Sequence, residues 1–173
     1  MPPMPLLPPG PPGPAPIRFL SALVDHAVVL IGAVMVVLVF VNVVLHVFHH
    51  DIAWTIEFCE FMMVWASFLG GAAAARRGAH MTITEFIDML HGIPRRMADA
   101  AVQLLALAVL ALLVWYGVGI VMANWGNVLT VLDWPMALQY MALPVGAGAS
   151  FVFVSYDLVQ ILMGKTPEER YGA

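Results

Sequence analysis

Charge is what this sequence most conspicuously lacks: only 10% of its 173 residues are Asp, Glu, Lys or Arg. A soluble domain carries about 25%, so this chain cannot clothe itself in a water-soluble surface, and lipid must solvate most of it. Cysteine is nearly absent as well. Cys59 stands alone, which excludes an internal disulfide and a Cys-based zinc site, and its apolar surroundings fit a buried, inert thiol. Basic residues number seven against eleven acidic ones, so no cationic surface for nucleic acid exists. Nucleotide loops, nucleophile elbows and metalloprotease helices are missing too. The first sixteen residues have no cationic segment, and their prolines break any leader helix. They are expected to form a Pro-rich tail, partly polyproline II, not a signal peptide.

Apolar residues fill the space that charge leaves. They make up 62% of the chain, and mean hydropathy is +0.90. Four stretches reach the roughly 20 residues a spanning helix needs: about 19–47, 52–75, 97–123 and 134–163. None shows the short alternating pattern of a barrel. Backbone in hydrocarbon is satisfied only by helices or closed barrels, so an all-α integral membrane protein with four transmembrane helices is expected. The tail would occupy 1–17, the membrane domain 18–164 and a second tail 165–173.

The basic residues orient it. Arg18, Arg76, Arg77, Arg95, Arg96, Lys165 and Arg170 all precede the first span, join the second to the third, or follow the fourth. The positive-inside rule then puts both termini and the middle loop in the cytoplasm. Trp54, Trp125 and Trp134 fall at the opposite boundary, as an aromatic belt would. In the middle loop, Thr82 and Glu85 have capping-box spacing. Ile83, Phe86, Ile87 and Leu90 follow at helical intervals, and Gly92 with Pro94 would end the segment. A short amphipathic helix at about 82–92, lying on the cytoplasmic membrane face, is expected.

Chemistry-bearing residues are few. Glu57 and Glu60 share a face near the outer end of span two. A cation or proton relay, pairing with a partner subunit, and a place in interfacial water are the competing readings, and a structural role is expected. His46 and His50 stand at i, i+4, but no further metal-ligand set accompanies them, so no metal is assigned. Haem needs axial histidines on facing helices. Spans two to four have none, and His26 and His46 lie about 30 Å apart along one helix, so no cofactor is expected. Asn42, deep in span one, is expected to bond another helix. Ser67, Gly71 and Ala75 form one small-residue stripe in span two, and Gly70 with Ala74 a second, suited to close helix contact within or between chains. Gly117-x-Gly119 and Gly146-x-Gly148 are read the same way.

The run from Phe61 to Leu90, FMMVWASFLGGAAAARRGAHMTITEFIDML, resembles the small membrane (DctQ-type) subunit of tripartite ATP-independent periplasmic (TRAP) transporters. Its Val64–Ala72 core, the segment Arg77-Gly78-Ala79-His80 and the amphipathic stretch after it match that family. So do Trp134-Pro135, Tyr140 and Leu143-Pro144-Val145-Gly146. One departure is Thr84, four residues after His80, where family members often carry Asp. The resemblance implies a non-enzymatic scaffold that supports a large permease subunit. Uptake of an organic acid such as a C4-dicarboxylate would be driven by an ion gradient, usually sodium, with a periplasmic binding protein delivering the substrate. Glu57, Glu60, Ser67, Gly70, Gly71, Arg76, Arg77 and His80 are the candidate interface or structural residues. The rival readings are a membrane anchor of a redox enzyme and the small subunit of a tripartite tricarboxylate transporter.

Overall fold

A computed structural model of the chain describes residues 13–50, 52–77 and 93–165. The expected surface helix at 82–92, His80 and the tail beyond 165 lie outside them. The described residues form α1 (Ala15–Val47), α2 (Thr55–Arg76), α3 (Ile93–Ala123), the single turn α4 (Ala137–Tyr140) and α5 (Ala142–Leu162). Four segments are long and apolar enough to cross a membrane: α1, α2, α3 from Met97, and α4 with α5.

The helix ends follow local chemistry. α1 starts at Ala15, inside the expected tail, because Pro16 in its first turn loses no hydrogen bond there. It stops where His49 takes a left-handed backbone, φ 59°. α3 begins at Ile93, ahead of the expected 97, with Pro94 in its first turn, the one place a helix accepts proline freely; the segment that Pro94 was expected to end lies outside the described residues. The last span begins at Ala137 and not at Trp134. It is interrupted at Met141, because Pro144 has no N–H to offer the Tyr140 carbonyl. Trp134 and Pro135 instead belong to a tight hairpin between α3 and α4. There Val128 pairs with Pro135, the Leu129 N–H donates to the Trp134 carbonyl at 2.8 Å and the Met136 N–H to the Asn127 carbonyl at 2.7 Å. Asp133 makes its turn at φ 52°.

The helices stand in a row, in the order α1, α2, α5, α3. α5 is the best covered, with 44% of its most apolar window buried, against 17% for α2, 6% for α3 and none for α1. The outer helices therefore turn most of their surface to whatever surrounds the chain. α1, at 33 residues, is about 50 Å long, well beyond the roughly 30 Å of a hydrocarbon core.

Val24 of α1, Leu69, Ala72 and Ala73 of α2 and Phe153 of α5 make the main core, so the row bends at α2, whose buried face meets both α1 and α5. Two glycines bring helices closest. A Cβ on Gly146 would lie 2.6 Å from Phe68 Cβ and 2.8 Å from the Phe68 carbonyl oxygen, and one on Gly117 would lie 3.1 Å from Pro144. Gly119 and Gly148, the second members of the two Gly-x-Gly pairs, have open space instead.

Both described ends of the chain meet at one edge of the row. Gly13 lies against Arg76 and Tyr156, and α2 runs parallel to α5 while α3 runs against it. That edge is called the terminal end below, and the opposite one the loop end.

Candidate subunit interface

At the loop end, Glu57 stands in the first turn of α2. Its carboxylate reaches across to the hairpin. The Val131 N–H donates to Oε1 at 3.0 Å and to Oε2 at 2.9 Å, and the Leu132 N–H donates to Oε2 at 2.9 Å. A negative group also suits the positive end of the α2 dipole. On the flank of α2 that faces the hairpin, Phe58 and Phe61 both meet Trp134 edge-on, at centroid distances of 6.2 and 5.8 Å. The Trp65 indole N–H donates to the Leu138 carbonyl at 3.2 Å. Charge, aromatic packing and one indole bond thus hold the hairpin and α4 onto α2. Among the described residues, Asn42 bonds a loop and not another helix. Its Oδ1 accepts from the Ile52 N–H at 3.1 Å and so stitches the α1–α2 connection.

Glu60 sits one turn beyond Glu57 and differs from it completely. It is exposed, and no hydrogen bond or ion pair joins its carboxylate to another described residue. Below it on the same side of α2 come Met63, Ser67, Gly70, Gly71 and Ala74. The Ser67 hydroxyl is turned back to the Met63 carbonyl, 2.8 Å. A Cβ at Gly70 or Gly71 would meet nothing within 4 Å. The small residues that α2 does bury within the chain are Ala72 and Ala73, one position off the stripes expected from spacing.

At the terminal end the polar residues are paired inside the row. Arg76 is only 5% exposed, and its guanidinium lies 5.6 Å from the centroid of the Tyr156 ring. Arg77 reaches Asp25 of α1 at 2.8 Å. Gln103 of α3 donates from Nε2 to Asp157 Oδ2 of α5, and both side chains are buried, as are Asp99 and Gln160. The Gln103–Asp157 pair was not singled out from spacing, yet it had a signal. Asp157 is a carboxylate within the fourth apolar run, and such a residue faces the protein interior and a partner by default. His80 lies outside the described residues. Among the described residues, no three His, Cys, Asp or Glu side chains converge as metal ligands.

With four apolar helices and no reactive constellation in view among the described residues, sequence relationship decides the family. The family model for tripartite ATP-independent periplasmic transporters, DctQ component, matches residues 35–164, about three-quarters of the chain. This chain belongs to that family. It is also similar to a TRAP transporter small permease protein of Haemophilus influenzae, with 31% identity over 74 residues. That match covers 42% of this chain and 46% of the relative, so the chain spans less than half of that relative's length. The family is a component of a transporter, and this DctQ-family member is accordingly a multi-pass membrane protein. The matched region takes in Glu57, Glu60, the α2 stripe, Arg76 and Arg77, as well as the hairpin and the Gln103–Asp157 pair. It leaves out the first half of α1 with Asp25.

Proposed function

We propose that this chain is the small scaffold subunit of a TRAP-type secondary transporter in the bacterial inner membrane. In this reading it has no catalytic chemistry of its own and forms no transport path. It supports a large permease subunit that carries substrate and ion sites. A periplasmic binding protein delivers an organic acid, a C4-dicarboxylate for instance, and a sodium gradient drives uptake. The terminal end of the row faces the cytoplasm, since Arg18, Arg76, Arg77 and Lys165 gather there and the positive-inside rule applies. The loop end, with the hairpin held by Glu57, faces the periplasm.

One observation carries the reading. Among the described residues, the helices form an open row joined by polar pairs between neighbouring segments, Glu57 with the hairpin, Arg77 with Asp25 and Gln103 with Asp157. A transport path needs polar groups lining a cavity at membrane depth. A concavity among the described residues, between α3 and α5, is an apolar groove of about 740 Å³ lined by Val114, Trp115, Met122 and Phe151 among others. An open row with wide apolar flanks is the form expected of a subunit completed by another membrane protein.

Reconstitution into proteoliposomes tests this. Uptake of a radiolabelled dicarboxylate under an inward sodium gradient is expected only when this chain, the large subunit and the binding protein are all present. Uptake by this chain alone, or undiminished uptake without it, overturns the proposal.

A further inference from the structure

Glu60 poses a physical problem that the described residues do not solve. It lies six residues beyond Trp54, about 9 Å along the helix, and it is exposed. Ionised side chains in spanning helices are costly to leave facing hydrocarbon, and they face protein, water or an opposite charge. Glu57, one turn earlier, has its two backbone donors; Glu60 has none among the described residues. The Lys and Arg residues of the described chain cannot serve it. They lie at the terminal end, and Arg76 is about 24 Å away along α2. The three histidines near the loop end form no ion pair with it among the described residues.

The surface that continues from Glu60 is shaped for a helix. α1 and α5 both meet the buried face of α2, through Leu69, Ala72, Ala73 and Phe153. The free side therefore runs open from Glu60 through Ser67 to Ala74. At Gly70 and Gly71 nothing stands above the backbone, so a second helix axis can approach closely over them. Lipid chains fill such a surface, but they offer nothing to a carboxylate.

We infer that this face of α2 receives a transmembrane helix of the large subunit, and that this helix sets a Lys or Arg side chain against Glu60. The inference rests on the proposed role as small subunit and names the surface through which that role is exercised. Gly70 and Gly71 set the distance between the two helices. Glu60 sets their register, because an ion pair at one end of a close helix contact is satisfied at only one axial position.

The test uses the tagged chain co-expressed with the large subunit and purified in mild detergent. Gly71→Leu and Glu60→Lys are each expected to lower the captured large subunit at least tenfold, while Glu60→Asp retains it. Each variant is also run alone by fluorescence-detected size exclusion, and a wild-type profile shows that the chain itself still folds. A Cys59→Ser/Ser67→Cys chain labelled with benzophenone maleimide should photo-cross-link to the large subunit. Replacing the cationic residue next to the cross-linked position by Glu should restore capture by the Glu60→Lys chain. Undiminished capture by both Gly71→Leu and Glu60→Lys, or a cross-link between two copies of this chain, overturns the inference. If the wild-type chain captures no large subunit at all, the proposed function fails, and this inference falls with it.

Discussion

Replacing Glu57 by Ala should release the hairpin without unfolding the helices. The carboxylate accepts from two backbone N–H groups, of Val131 and Leu132, through three contacts of 2.9–3.0 Å. A hydrogen bond to a charged group contributes about 1.5–3 kcal/mol when sheltered. Here the Val131 contacts are exposed and the Leu132 contact is part-buried, so water competes, and about 1 kcal/mol per donor is the appropriate scale. The sum, about 2 kcal/mol, corresponds to about a 30-fold rise in local opening, at a factor of ten per 1.36 kcal/mol. Glu57→Gln keeps one acceptor oxygen but loses the charge, and should give roughly a fivefold rise, at about 1 kcal/mol. Hydrogen–deuterium exchange of peptides covering 127–136, with the protein in nanodiscs, measures this directly. Exchange in the α5 peptide 147–160 should stay unchanged, because the main core of α1, α2 and α5 does not involve Glu57. An Ala variant whose hairpin exchanges at the wild-type rate would refute the clamp. Faster exchange in both regions would show that Glu57 holds the whole fold and not the loop alone.

The glycine pairs should divide sharply. Gly146→Ala forces a Cβ against Phe68 backbone, which cannot step aside, at a cost of about 1–3 kcal/mol for overpacking. Gly148→Ala, two residues on in open space, should be tolerated, and thermal unfolding in detergent compares the two. Gln103→Leu removes one bond to Asp157 within the membrane-spanning region. Such interhelical bonds are worth about 0.6 kcal/mol on average and about 1.7 at most. Stability to SDS titration should therefore fall by that amount, and an unchanged midpoint would mean the bond contributes nothing.

How much of this was legible beforehand depends on the kind of interaction. Four runs of apolar residues, each long enough to span a bilayer, need no tertiary information to become helices, because hydrocarbon permits a lone segment no other way to satisfy its backbone. The family resemblance was likewise carried by local motifs such as Val64–Ala72, Trp134-Pro135 and Leu143–Gly146. Helix starts were read less well: α3 begins at Ile93, before the expected 97, and the last span at Ala137, after the expected 134, because a proline such as Pro94 breaks a helix interior yet sits comfortably in a first turn.

Glu57 and Glu60 mark the boundary most clearly. Their spacing of three put them on one helix face, and nothing in the residues themselves distinguished them. The distinction came from the return of residues 131 and 132 to α2 across more than seventy positions, which supplies backbone donors to Glu57 and leaves Glu60 bare. The same holds for the glycines: periodicity identified Gly70, Gly71, Gly117, Gly119, Gly146 and Gly148 as sites of possible close approach, but only the order of helices in the row decided that Gly117 and Gly146 are used within the chain. The membrane character and the helix count were set by the sequence alone, since transfer of apolar side chains into lipid is a property of each segment. Which polar group is satisfied, and which helix face remains open, was decided by the tertiary structure, because both depend on which distant segments the fold brings together.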